Sequence, residues 1–109
     1  MTQVTKELAT IGGRSRFEYT GTALSGTEIA YGKTGKVSVS KDQYDNLRKN
    51  FINRIVAINT TSNPLDNDSI AGWLLANVTE TRISSYVAAI LVSENYAERI
   101  EKHHIRVIK

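Results

Sequence analysis

Two short stretches of helical periodicity lie close together in the second half of the chain. In the first, Ile70, Trp73 and Leu74 recur at the spacings that place side chains on one side of a helix. Asp68 or Ser69 is available as its N-cap. The apolar positions of the second stretch repeat at three- and four-residue steps: Ile83, Tyr86, Val87, Ile90 and Leu91. The sequence therefore predicts two helices joined by a sharp turn.

The residues at the ends of these stretches fix the expected bounds of the second helix. Asn77 stands where the chain must turn, and asparagine is among the few non-glycine residues that tolerate a left-handed backbone. Thr79 is expected to cap the second helix, which is predicted from Thr81 onward. Asn95 is expected to end it.

Strands and one more helix are predicted on either side of the helix pair. Tyr96 to Ile100 and His104 to Lys109 are rich in β-branched and aromatic residues, and the polar Glu101-Lys102-His103 turn separates them. These residues are predicted to form a terminal hairpin. Upstream, Ser40 to Ile52 begins with a capping-box pattern and is predicted as a helix, and Arg54 to Ile58 as a short strand.

This order of elements resembles the winged helix-turn-helix of bacterial regulators, over residues 40–109. The positions that match the family pattern are Asn77, Val78, Thr79, Ile83, Val87 and Ile90. At 77 and 95 this chain has asparagine where the family often has glycine. The resemblance implies DNA binding, with the second helix of the pair in the major groove and the hairpin, called the wing, on the phosphate backbone. Such regulators commonly bind as dimers.

The first third of the chain has a different character. Six of the seven glycines fall there, between short runs of alternating polarity at Arg16 to Thr20, Glu28 to Tyr31 and Lys36 to Ser40. A β-meander is predicted, and polar Thr2 to Ala9 is expected to be mobile. We expect one α+β domain in which this β-rich extension, residues 1–39, packs on the winged-helix-like core. The predicted core residues are Leu47, Phe51, Trp73, Leu74, Ile83, Val87, Ile90, Ile105 and Val107.

No pattern in the chain predicts catalysis, a metal or a cofactor. There is no cysteine, and the adjacent pair His103-His104 cannot alone supply a zinc site. Gly32-Lys33-Thr34 is reminiscent of a phosphate-binding loop, but Gly26 lies one residue too far upstream and a strand pattern replaces the required helix. We interpret this segment as a hairpin turn with exposed lysines.

Charge distribution leaves two hypotheses open. The net charge is +3, yet residues 55–95 contain one basic and four acidic residues, and DNA affinity depends largely on Lys and Arg. Binding to double-stranded DNA as a small regulator is the first hypothesis. The alternative is a winged-helix module for a protein partner or for homodimerisation, because residues 86–92 are more apolar than one packed face requires.

The candidate DNA-binding residues are Thr81, Arg82, Ser84 and Ser85 of the second helix, expected to face outward with Ala88; Arg99, Lys102, Arg106 and Lys109 of the wing; and Arg14, Arg16, Lys33 and Lys36 of the glycine-rich turns.

The chain contains no apolar run of about 18 residues, the length that a membrane-spanning helix needs. Residues 1–7 also lack the apolar stretch of a secretory signal. The sequence therefore predicts a cytoplasmic protein without a membrane partner.

Overall fold

The computed structural model describes residues 5–11, 13, 15–59, 69–79 and 83–109, and over these residues the fold is α+β with three helices and two antiparallel sheets. The elements are, in chain order, β1 (Lys6–Ala9), β2 (Arg16–Thr22), β3 (Gly26–Tyr31), β4 (Gly35–Ser40), α1 (Lys41–Phe51), β5 (Ile55–Ala57), α2 (Ile70–Asn77), α3 (Ser84–Ser93), β6 (Ala97–Glu101) and β7 (His104–Val107).

The first sheet is a meander in which β1, β2, β3 and β4 pair in chain order. Its buried face carries Phe17, Tyr19, Ile29 and Val39, while neighbouring residues on the strands face solvent, as alternation along a strand requires. The predicted meander is confirmed. The expectation that residues 2–9 are mobile is wrong for β1, because this strand pairs with β2 and its Leu8 packs against the core.

Helix α1 begins with the predicted capping box. The Ser40 hydroxyl accepts the Gln43 backbone N–H at 3.1 Å, and the Gln43 side-chain oxygen accepts the Ser40 N–H at 2.8 Å. The buried face of the helix carries Tyr44, Leu47 and Phe51. This face packs against the meander and the helix pair.

The second sheet has the strand order β5-β7-β6. Strands β5 and β7 are shorter than predicted, and β6 is shifted by one residue towards the C-terminus. Tyr96 is not part of β6, because its backbone N–H donates to the Leu91 carbonyl at 2.8 Å and closes the C-terminus of α3. Asn95, which was predicted to end α3, follows the helix directly after its C-cap Glu94 and has a left-handed backbone, with φ of 68°. At the other end of the hairpin, β7 ends at Val107 rather than at Lys109.

The turn between α2 and α3 differs from the prediction. Asn77 is the last residue of α2 and is not left-handed; its side-chain N–H donates to the Trp73 carbonyl at 2.9 Å. The N-cap of α3 is Ile83, which supplies no side-chain oxygen, so Thr79 does not cap this helix. The expected first helical residue, Thr81, lies outside the described residues.

The predicted core is confirmed except for Trp73. Each of the other predicted core side chains is buried. Trp73 is only partly buried, because the side of α1 nearest to it carries polar residues, among them Asn46 and Asn50, instead of apolar ones. Periodicity placed Trp73 on the inner stripe of α2, but the polar surface of α1 leaves it half-covered.

The meander covers the apolar surplus of α3. The Tyr86 ring lies 4.9 Å from Phe17 and 5.3 Å from Tyr31, measured between ring centroids. At the other end of the helix, the Glu94 carboxylate accepts the Tyr19 hydroxyl at 3.0 Å and the Ala23 N–H at 2.9 Å. The meander therefore covers part of the apolar surface of this helix.

The Tyr19–Glu94 contact predicts a loss of stability at alkaline pH. Burial and, secondarily, the Glu94 carboxylate raise the pKa of Tyr19 from 10.0 to about 12. The folded protein therefore keeps a proton that the unfolded chain releases, so the stabilisation is complete below pH 10 and disappears as pH rises through about 12. Urea unfolding across this range should show a shallower decline for Tyr19→Phe than for the native protein. Identical declines would contradict the proposed role of Tyr19.

Candidate nucleic-acid interface

One asparagine connects the β6–β7 turn to the start of α3. The Ile58 N–H donates to the His103 carbonyl at 2.8 Å, which holds the β6–β7 turn beside the end of β5. The next residue, Asn59, accepts a hydrogen bond from the Ser84 hydroxyl and donates one to the Ser85 hydroxyl at 3.4 Å. The first turn of α3 therefore lies next to this hairpin turn.

An aromatic stack places a second hairpin on the other side of the first turn of α3. Tyr86 stacks on Tyr31 with an angle of 22° between the rings, and Tyr31 is the last residue before the β3–β4 turn. The Tyr31 ring lies across Gly35, where an added Cβ would come within 2.4 Å of the ring. This contact fixes the β3–β4 hairpin against α3. We call the combined region, consisting of residues 32–36, Asn59, residues 84–86 and residues 99–103, the two-hairpin surface.

The two-hairpin surface carries four exposed positive charges, together with the carboxylate of Glu101. Lys33 and Lys36 lie on one hairpin, and Arg99 and Lys102 on the other. None of the four forms an ion pair with another described residue. The first turn of α3 contains no acidic residue. Because the N-terminus of a helix also attracts anions, the surface is suited to phosphate groups.

Acidic residues lie on or beside this surface: Glu101 on the β6–β7 hairpin, Glu98 directly before Arg99, and Glu18 in the same cleft as Lys33 and Lys36. Glu101 contacts the His104 ring at 2.5 Å, and this hydrogen bond holds the pKa of the Glu101 carboxyl below its usual range. Glu94, the described acidic residue of segment 55–95, binds Tyr19 and Ala23. The other acidic residues of that segment, Asp66, Asp68 and Glu80, lie outside the described residues.

Three of the predicted contacts are less suited to a ligand. Arg16 lies near the β3–β4 turn but is paired with Glu7 at 2.6 Å, because β1 and β2 bring the two side chains together. Arg106 faces Glu98 at 3.8 Å. Lys109 lies at the opposite end of the β6–β7 hairpin from the turn. There its carbonyl oxygen accepts a hydrogen bond from the Arg48 side chain of α1.

The outward orientation predicted for α3 is wrong at Ser84 and Ala88. Ser84 is 2% exposed and bonded to Asn59, and Ala88 is 0% exposed. The meander and the core enclose most of the helix, whereas Ser85 keeps partial exposure at its N-terminal end. The side of α3 is therefore not free to enter a groove, and in its described first turn Ser85 and Tyr86 keep partial exposure. The predicted contacts Arg14, Thr81 and Arg82 lie outside the described residues.

Sequence reasoning missed the residues that assemble this surface. Asn59 begins an Asn-x-Thr sequon, but nothing in the sequence predicted its contacts with α3. Tyr31 and Tyr86 were visible as apolar positions of a strand and a helix. Their contact with each other depends on how the meander docks, which no local pattern encodes.

The described part of the chain contains no group of three or more His, Asp or Glu side chains arranged to hold a metal ion. None of its helices has the length and apolar character needed to cross a membrane.

Comparisons with known proteins give no match, whether to a protein-family model, to a curated protein or to a solved structure.

Proposed function

We propose that the protein binds double-stranded DNA through the two-hairpin surface. The order α1-β5-α2-α3-β6-β7 agrees with the winged-helix arrangement expected from the sequence, in which the β6–β7 hairpin is the wing. A fold of this kind has more than one use, so the surface itself must support the function.

The observation that carries the proposal is the continuous set of contacts from His103 through Asn59 and Tyr86 to Tyr31. These contacts support a site at the first turn of α3, which lies next to the turn that carries Lys102 and against the hairpin that carries Lys33. Phosphate contacts on both sides of a helix end fix the register of a protein on a duplex. The N-terminal residues of α3 then meet the base edges, as in other helix-turn-helix proteins.

The burial of α3 determines the mode of binding. Because its sides are enclosed, the helix approaches the duplex with its end, and Ser85 is the partly exposed polar side chain of its described first turn. Serine bonds bases and phosphates without strong preference. Phosphate contacts therefore supply most of the affinity, and the described residues supply little discrimination between sequences.

The alternative of a module for a protein partner loses one of its supports. The apolar surplus of α3 is packed against the meander through Phe17 and Tyr31. Glu94 is engaged by Tyr19 and Ala23 instead of contributing to an acidic face. The exposed apolar side chain of Ile100, on the β6–β7 hairpin, still supports a protein partner.

The salt dependence of binding tests the proposal. Four phosphate contacts, one for each unpaired cation, predict that the affinity for a duplex of about 20 base pairs falls roughly 100-fold between about 50 and 200 mM salt. Fluorescence anisotropy with a labelled duplex measures this directly. Absence of binding at the lower salt concentration, or an affinity that salt leaves unchanged, would contradict the proposal.

A further inference from the structure

A polar groove lies between α1 and α2, away from the residues of the two-hairpin surface. Its volume is about 460 Å³, within the range of small-molecule sites. The lining residues combine amides, one lysine and one indole: Gln43, Asn46, Lys49, Asn50, Trp73 and Asn77. Trp73 is the chain's one tryptophan, and it lies beside several amide side chains.

Trp73 gives the groove a partly exposed aromatic surface. A tryptophan on the inner stripe of an amphipathic helix is usually covered by apolar residues, but here amides of α1 lie opposite it. Aromatic side chains left open beside polar groups are the stacking platforms that proteins use for nucleobases.

The amides of the groove retain both donors and acceptors for a ligand. Gln43 uses its oxygen to accept the Ser40 N–H, which leaves its amino group available. Asn77 uses its amino group on the Trp73 carbonyl, which leaves its oxygen available. Both side chains are thereby held in place by the backbone. Asn46 and Asn50 make no side-chain hydrogen bond within the described chain and offer both kinds of group.

The charge of the groove limits the ligand further. Lys49 is exposed and forms no ion pair with a described residue, because the neighbouring Asp45 is already paired with Lys41 and Arg48. No acidic side chain lines the groove. A single lysine can hold one phosphate group but is a poor match for a triphosphate or a nucleic-acid strand.

We propose that this groove binds an adenine nucleoside monophosphate. The base stacks on Trp73, and an asparagine amide from α1 pairs with the adenine edge, which presents a donor and an acceptor side by side. Lys49 binds the phosphate. Such a ligand would make the protein responsive to a small nucleotide at a site separate from the DNA-binding surface.

Trp73 is a built-in reporter for the test. Titration of the full chain with AMP should quench its fluorescence saturably, and Asn50→Ala should weaken binding about 10-fold because an amide contact with the base is lost. Lys49→Ala should weaken AMP binding by a similar factor and leave adenosine binding unchanged. Equilibrium dialysis with labelled AMP repeats the measurement without relying on Trp73.

The matched control is Lys102→Ala, which removes the same charge from the two-hairpin surface and should leave AMP binding unchanged. In the reverse direction, Asn50→Ala should leave DNA binding unchanged, so a failure here is distinguishable from a failure of the DNA-binding proposal. Absence of AMP binding at millimolar concentration would overturn the inference. Equal affinities for AMP, GMP and inorganic phosphate would also overturn it.

Discussion

Replacing Phe51 by alanine should lower the free energy of unfolding by about 3–5 kcal/mol. The Phe51 side chain is 0% exposed at the end of α1, inside the core that joins the meander to the helix pair. Its removal leaves a cavity that the surrounding helices and sheets cannot close. Because small domains have only about 5–15 kcal/mol of stability, the variant should be close to unfolding. Urea unfolding followed by circular dichroism measures the loss.

Trp73→Ala is the informative comparison for Phe51→Ala. Tryptophan is the larger side chain, and full burial of both residues would make its removal at least as costly. Since Trp73 is half-exposed beside the groove, its replacement should cost clearly less than that of Phe51. Equal losses would show that Trp73 is buried in solution.

The sequence predicted the parts of the fold that depend on interactions between residues close together in the chain. The capping box of Ser40 and Gln43 forms between residues three positions apart, so it could be recognised in the sequence. Asn95 has a left-handed backbone because asparagine tolerates this conformation at the end of a helix. The alternation of residues 36–40 likewise predicted β4.

Interactions between distant segments account for the errors. Strand β1 is short and polar, and it is ordered by pairing with β2 and by the contact of Leu8 with the core. The exposure of Trp73 depends on the polar residues of α1. Ala88 is buried although the helical period placed it outward, because periodicity gives the direction of a side chain and not what covers it.

The sequence predicted which charged residues the candidate site contains, but not how the fold arranges them. Lysines and arginines near hairpin turns were evident, including Lys33 and Lys102. The ion pair between Arg16 and Glu7 depends on the register of β1 against β2. That the two hairpins meet at α3 depends on Asn59 and on the aromatic stack.

Reversing the charge of both hairpins should abolish most of the DNA affinity. Lys33→Glu combined with Lys102→Glu removes one phosphate contact on each side of the end of α3 and adds repulsion. We expect a loss of about 100-fold or more at low salt, since each charged hydrogen bond contributes roughly 1.5–3 kcal/mol. Both lysines are exposed and form no ion pair with a described residue, so folding should be unaffected.

We propose that DNA affinity depends on the two-hairpin surface and not on the net charge of the protein. The matched control is Lys41→Glu with Lys49→Glu, which changes the net charge equally on α1, outside that surface. Anisotropy titration of the native protein and both double variants against the same duplex at low salt is the most direct test. We expect a large loss of affinity for the hairpin variant and a small loss for the α1 variant. Equal losses, or an unchanged affinity of the hairpin variant, would contradict this proposal.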